Sequence, residues 1–156
     1  KPEYQVLYFN PARRLPLFQA AFHDSVITTN HWTLDNLKFK ETQQTTELLQ
    51  QLYNVPPMLN ISLETAATRL AYLKRIDNFF HPMHSRLYDQ ALVDFKYLTT
   101  DGLLQQTRFS DGTFLLANFG KETIKWKDRH IEPMSLTATL PDGKLMHLDA
   151  DIKAKK

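Results

Sequence analysis

A chain of 156 residues, 42% apolar, is long enough to bury a core, and a net charge of only +2 leaves no basic stripe of the kind that binds nucleic acid. It has no cysteine, which excludes a disulfide framework and a thiolate metal site but assigns no compartment. No apolar run approaches the roughly 18 residues of a membrane-spanning helix, and no signal peptide is visible, so no membrane partner is expected.

The opening Lys-Pro-Glu reads as the start of a processed or excised chain, with a segment expected upstream. Tyr4 to Phe9 is a short β-prone run, and Asn10-Pro11 with Arg13-Arg14 makes a solvated turn. The other basic cluster, Lys153 to Lys156, reads as a frayed end. Leu15 to Thr29 is a nearly continuous apolar run. A run apolar on both sides suits a strand covered on both faces, as in parallel sheets. No alternating strand–helix series surrounds it, so the strand is expected to belong to a larger fold.

Residues 45 to 92 read as helical. Thr45 or Thr46 is placed to cap a helix carrying Leu48, Leu49, Leu52 and Tyr53, stopped by Pro56-Pro57. Asn60-Ile61-Ser62 matches a glycosylation sequon, but Ser62 is also a good N-cap for the next helix, and that reading is preferred. Leu63, Ala66, Ala67, Leu70, Leu73, Ile76 and Phe80 recur at three- and four-residue spacing and predict one apolar face. A break is expected near His81, before Pro82, with a third helix turning Met83, Leu87 and Leu92 inward.

From residue 93 to 149 the pattern alternates. Gly102, Gly112 and Gly143 each follow Asp, and Asp-Gly predicts hairpins in which both central residues tolerate positive φ. Strands are expected around Leu104 to Arg108, Phe114 to Phe119, Ile124 to Trp126, Leu136 to Leu140 and Leu145 to Leu148. Together they make an antiparallel meander or small sandwich.

The sharpest chemical candidate is His23-Asp24, followed by Ser25, Thr28, Thr29, Asn30, His31 and Trp32. Polar residues at a strand's C-terminal end can bind hydroxyls at a barrel mouth, and a Trp can stack on a sugar ring. The competing reading is a hydrogen-bonded His-Asp pair that only holds a strand in place. His81 and His84 have metal-ligand spacing, but Pro82 lies between them and no acidic partner is near, so no metal and no cofactor are expected. Asp94 reads as a structural carboxylate bonding backbone amides. A glycosidase needs two carboxylates roughly 5 to 10 Å apart. Only Asp24, and weakly Asp94, sit in apolar settings, so complete catalysis by this chain alone is not expected.

The segments PLFQAAFHDSVITTNHW, ELLQQLYNVPPML and LVDFKYLTTDGLLQQTRFSDGTFLLANFG, in this order and spacing, resemble the C-terminal part of bacterial α-N-acetylgalactosaminidase-type glycoside hydrolases of family 129, related to family 101. The resemblance runs from about residue 14 to residue 136. It implies an α+β chain: the last strand and helices of a (β/α)8 catalytic barrel over residues 1–92, then an antiparallel β-sandwich domain over residues 93–156. It implies a carbohydrate substrate, with the upstream barrel of the same enzyme as partner and the catalytic carboxylates on that barrel. His23 and Asp24 match the family's substrate-contacting His-Asp pair, with Asn30, His31 and Trp32 beside them as further substrate-binding candidates. Thr29 to Trp32 depart from tryptophan-rich versions of this segment, which leaves the sugar open. Two other readings compete. One is a non-catalytic carbohydrate-binding or structural β-domain. The other is an adhesive domain using Tyr97, Phe114 and Trp126, which ranks last because aromatics at alternating strand positions usually face a core.

Overall fold

The computed structural model describes residues 9–29 and 42–148. After a 3-10 turn at Pro11–Arg13 come helices α1 (Leu17–Phe22), α2 (Gln43–Leu52) and α3 (Ala66–Leu87). Seven strands follow: β1 (Leu92–Tyr97), β2 (Leu104–Phe109), β3 (Phe114–Asn118), β4 (Ile124–Trp126), β5 (Arg129–Ile131), β6 (Ser135–Thr139) and β7 (Leu145–Leu148). The architecture is α+β. The β-prone run before Phe9 and the basic tail lie outside the described residues.

The strands form an antiparallel five-stranded sheet in the order β1-β2-β3-β6-β7, with β4 and β5 as a two-stranded hairpin inserted between β3 and β6. The Asp-Gly pairs mark the turns between the sheet's strands. In the β2–β3 turn Gly112 N donates to Phe109 O at 3.0 Å, and Asp111 Oδ1 accepts from Thr113 N at 2.8 Å. The β6–β7 turn repeats this, with Gly143 N donating to Leu140 O at 2.9 Å and Asp142 Oδ1 accepting from Lys144 N at 2.9 Å. Only the glycine is left-handed, with φ of 90° and 84°, which corrects the expectation of two positive-φ residues per turn. The aspartate side chain instead closes an Asx turn, and the glycine absorbs the reversal.

One face of the sheet carries the main core. Phe109, Leu115, Ala117, Leu136, Ala138 and Leu148 pack there against Leu48, Leu49, Leu52 and Tyr53 of α2 and its end, and against Tyr72, Ile76, Phe79, Met83 and Leu87 of α3. On the opposite face Leu104 and Leu116 meet Ile131, with Ile124 and Trp126 alongside, so the β4–β5 hairpin covers it. The alternation follows from the pleat, which sends successive side chains to opposite faces. Thr107 Oγ1 also donates to Leu52 O at 2.7 Å, satisfying a carbonyl at the end of α2 that the helix cannot pair itself.

α2 starts at Gln43, ahead of the two threonines expected to cap it, and Thr42 makes no side-chain cap bond. Its end is a Schellman turn. Asn54 takes φ 54°, Val55 N donates to Gln50 O at 2.8 Å, and Asn54 N donates to Gln51 O at 3.1 Å. Before α3, Ser62 and Thr65 exchange backbone-to-hydroxyl bonds of 3.0 and 3.3 Å, a reciprocal cap one turn ahead of the helix.

α3 runs for 22 residues straight through Pro82, so the break expected at His81 is absent. Pro82 deprives the Asn78 carbonyl of its helical donor. Both residues are exposed, while the buried stripe of Phe79, Met83 and Leu87 holds the helix on the sheet on either side. The expected apolar face is also corrected. Ile76 is its one fully buried member, whereas Leu63 and Leu70 are 99% and 56% exposed, because the sheet covers the stripe from Tyr72 to Leu87 and not the first turns.

The segment read as a buried strand, Leu15 to Thr29, is not one. It is α1, a turn over residues 23 to 25, and an irregular stretch to Thr29. The residues Leu-Phe-Gln-Ala-Ala-Phe favour a helix on propensity, and the β-branched pair Val26-Ile27 comes too late to form a strand. Nor is the run covered on both faces, since Leu15, Leu17, Phe18, Phe22, Val26 and Ile27 are all exposed.

Candidate functional site

His23 caps the C-terminal end of α1, its backbone N–H donating to Gln19 O at 3.0 Å. Its ring is buried, edge-on to Phe109 with centroids 5.0 Å apart. Nδ1 lies 2.7 Å from the Gln90 carbonyl oxygen. A carbonyl only accepts, so Nδ1 carries the proton and donates. Asp24, one residue on, is exposed and accepts from Ser25 Oγ at 2.8 Å. The two neighbours therefore part: His23 turns inward to the start of the sheet, Asp24 outward to solvent. The mutually bonded His-Asp pair considered from the sequence does not form.

His23 forms one wall of a small cleft. Val26, Ile27 and Thr28 follow it along the chain, Asn54 and Pro56 come from the end of α2, and His84 and Tyr88 from the end of α3. The free volume is ≈ 10 Å³, room for about one water. Among the described residues no carboxylate lines it. His84 Nδ1 sits 2.7 Å from Asn54 Oδ1, and its ring stacks on Phe80 at 4.8 Å. Burial, and after it the neighbouring His23, hold the His84 pKa below its ordinary value, so the ring is neutral near pH 7. Asn54 is 2% exposed, and its Nδ2 has no hydrogen-bond partner among the described residues.

The N-terminal segment is held by polar bonds along its length. The Arg14 carbonyl accepts from Tyr97 Oη at 2.7 Å and from Tyr53 Oη at 3.3 Å. Gln105 Nε2 donates to Pro11 O at 2.9 Å, and Thr29 Oγ1 to Pro56 O at 3.3 Å. Burial, with Tyr97 nearby, pushes the Tyr53 hydroxyl pKa well up, so it remains a donor at any ordinary pH. Asn30, His31 and Trp32 lie outside the described residues.

The remaining carboxylates with charged partners have structural duties. Buried Glu47 accepts from Arg75 through both oxygens, at 2.7 and 2.8 Å. Asp111 pairs with Arg86 at 2.5 Å. Asp94 pairs with Lys96 at 2.8 Å, in place of the backbone amides expected of it. His81 is exposed while His84 is half-buried against Asn54, so the two do not converge as ligands. Among the described residues no group of three His, Asp or Glu is placed to hold a metal ion. No helix among them is long and apolar enough to cross a membrane.

A family model for glycosyl hydrolases related to the GH101 family, GH129, matches residues 1–108. The chain belongs to that family. No curated protein matches it. The GH129 match takes in α1, α2, α3, β1 and most of β2, and with them every residue of the cleft. A carbohydrate is the substrate that membership implies. Sequence reading of this GH129 chain found His23 and missed Asn54 and Gln90. The available signal for Asn54 was an asparagine between a helical apolar run and Pro56-Pro57, where a left-handed helix end is wanted.

Proposed function

We propose that this chain is the C-terminal portion of a bacterial glycoside hydrolase acting on α-linked sugars of the N-acetylgalactosaminide type, and that it supplies substrate contacts and not the catalytic carboxylate pair. GH129 membership supports the reaction class. The observation that carries the contact role is Asp24: a carboxylate with no cationic partner among the described residues, exposed in a stretch whose Phe22, Val26 and Ile27 are exposed as well. A carboxylate flanked by apolar surface suits a sugar, whose hydroxyls donate to the oxygens while its C–H face packs on carbon.

In this reading residues 1–92 end the barrel-bearing part of the enzyme, and residues 93–156 form the β-sandwich domain that follows. The catalytic pair lies on the upstream barrel, the partner region. The second reading, a non-catalytic carbohydrate-binding β-domain, is favoured by one observation, a cleft lined by no carboxylate among the described residues. Hydrolysis of an aryl α-N-acetylgalactosaminide separates the two. The complete enzyme is expected to release the aglycone and the chain alone is not. Cleavage by the chain alone would place both carboxylates within it and overturn the division of labour.

A further inference from the structure

α1 is built inside out. An amphipathic helix on a fold normally turns its apolar side to the core. Here the buried or half-buried positions are Pro16 before the helix, Gln19 within it and His23 at its end, and the bonds that hold the segment are polar. Leu17, Phe18, Ala21 and Phe22 are exposed, Leu17 by 72%. They share one stripe, because residues three and four apart are neighbours on a helix, and the Phe18 and Phe22 ring centroids lie 5.1 Å apart. Leu15, just ahead of the helix, is 55% exposed.

The stripe leaves on the order of 300 Å² of apolar surface open. A stable dimer with a second copy needs about 800 Å² per partner. Domains of one chain lose no free translation when they dock, and their seams bury about 600–1,500 Å² in all, so the stripe fits the apolar centre of such a seam. Charge marks its two ends. Arg13 is exposed before it, with no acidic partner among the described residues, and Asp24 is exposed after it. On the glycoside hydrolase reading above, on which this inference rests, the catalytic pair reaches the sugar that Asp24 contacts. Asp24 stands two residues beyond Phe22, so the surface that carries the pair arrives beside the stripe. We propose that the outward face of α1, with Leu15, Leu17, Phe18 and Phe22, is the docking surface for the barrel of the same enzyme, which meets it with an apolar patch and a carboxylate opposite Arg13. The seam then opens at Asp24, Val26 and Ile27, and ligand clefts favour such junctions between domains.

Hydroxyl-radical labelling of the complete enzyme, read by mass spectrometry, tests this. Leu17 and Phe18 are expected to be labelled as little as the buried Phe79 and Phe109 of the same protein. In the chain on its own they should be labelled freely. Phe18→Asp, at a site this chain leaves exposed, should part the seam and restore labelling of Leu17 in the complete enzyme. Labelling well above that of Phe79 and Phe109, in an enzyme that still hydrolyses an aryl α-N-acetylgalactosaminide, would overturn the docking surface and leave the hydrolase reading standing. Protection in a protein that hydrolyses no glycoside would uphold the surface and fail the substrate reading. Protection that fades on dilution would put a second copy in the barrel's place, and equal protection in the chain alone would put the cover within the chain. Either result overturns the proposal.

Discussion

His23 donates from Nδ1 to the carbonyl of Gln90, 2.7 Å away in space and 67 residues away in the chain. The bond fastens the end of α1 to the loop between α3 and β1, and the edge contact with Phe109 seats the same ring on the sheet. The segment's large apolar side chains are mostly exposed, so its docking rests on polar bonds such as this one and those to the Pro11 and Arg14 carbonyls. His23→Ala is expected to lower the unfolding free energy by about 2–3 kcal/mol, from a lost hydrogen bond and a partly emptied site. Urea denaturation measures this. A loss within ±0.5 kcal/mol would show that the segment's docking does not depend on the ring.

The cleft makes stability depend on pH with a defined sign. The folded-state pKa of His84 lies below its ordinary 6.5, through burial first and His23 second. Between the lowered value and 6.5 the unfolded chain binds the additional proton, so stability rises with pH across that window. It is fully present above about 6.5 and is lost as pH falls below it. Thermal unfolding followed from pH 7.5 to 5 should show this slope, and His84→Gln should flatten it. An unchanged slope in the variant would place the titrating group elsewhere.

Gln51 is 1% exposed at the end of α2, and neither its Nε2 nor its Oε1 has a partner among the described residues. An amide buried without hydrogen bonds costs about 1–3 kcal/mol. Gln51→Met, of similar length and volume, should therefore stabilise the fold by about 1–2 kcal/mol. Calorimetry on the two proteins checks it. Destabilisation would mean that the amide is satisfied in solution.

The hairpins were legible because Asp-Gly dictates where a chain can reverse, and the chain reverses at Gly102, Gly112 and Gly143. The inserted β5 went unread because Arg129–Ile131 offers one apolar residue, whereas the equally short β4 has Ile124 and Trp126 two apart. The helix at Leu17–Phe22 was misread because a short apolar run has no distinguishing period, and its chemistry, helix-forming and without β-branching, was the better guide. The face of α3 was misread because apolar residues recur on more than one side of it, and only the sheet decides which stripe is buried. At the site, His23 stood out in the sequence. Asn54 and Gln90 did not, and His84 stood out only beside His81, since all three reach it only through the packing of α2 and α3.

The central claim is that the end of α1 touches a sugar in a GH129 hydrolase, and kcat/KM of Asp24→Ala in the complete enzyme on an aryl α-N-acetylgalactosaminide tests it most directly. Losing a hydrogen bond to a charged group costs about 1.5–3 kcal/mol, so kcat/KM should fall about 10- to 100-fold with the fold intact. Near-normal kcat/KM in a normally folded variant would contradict the claim.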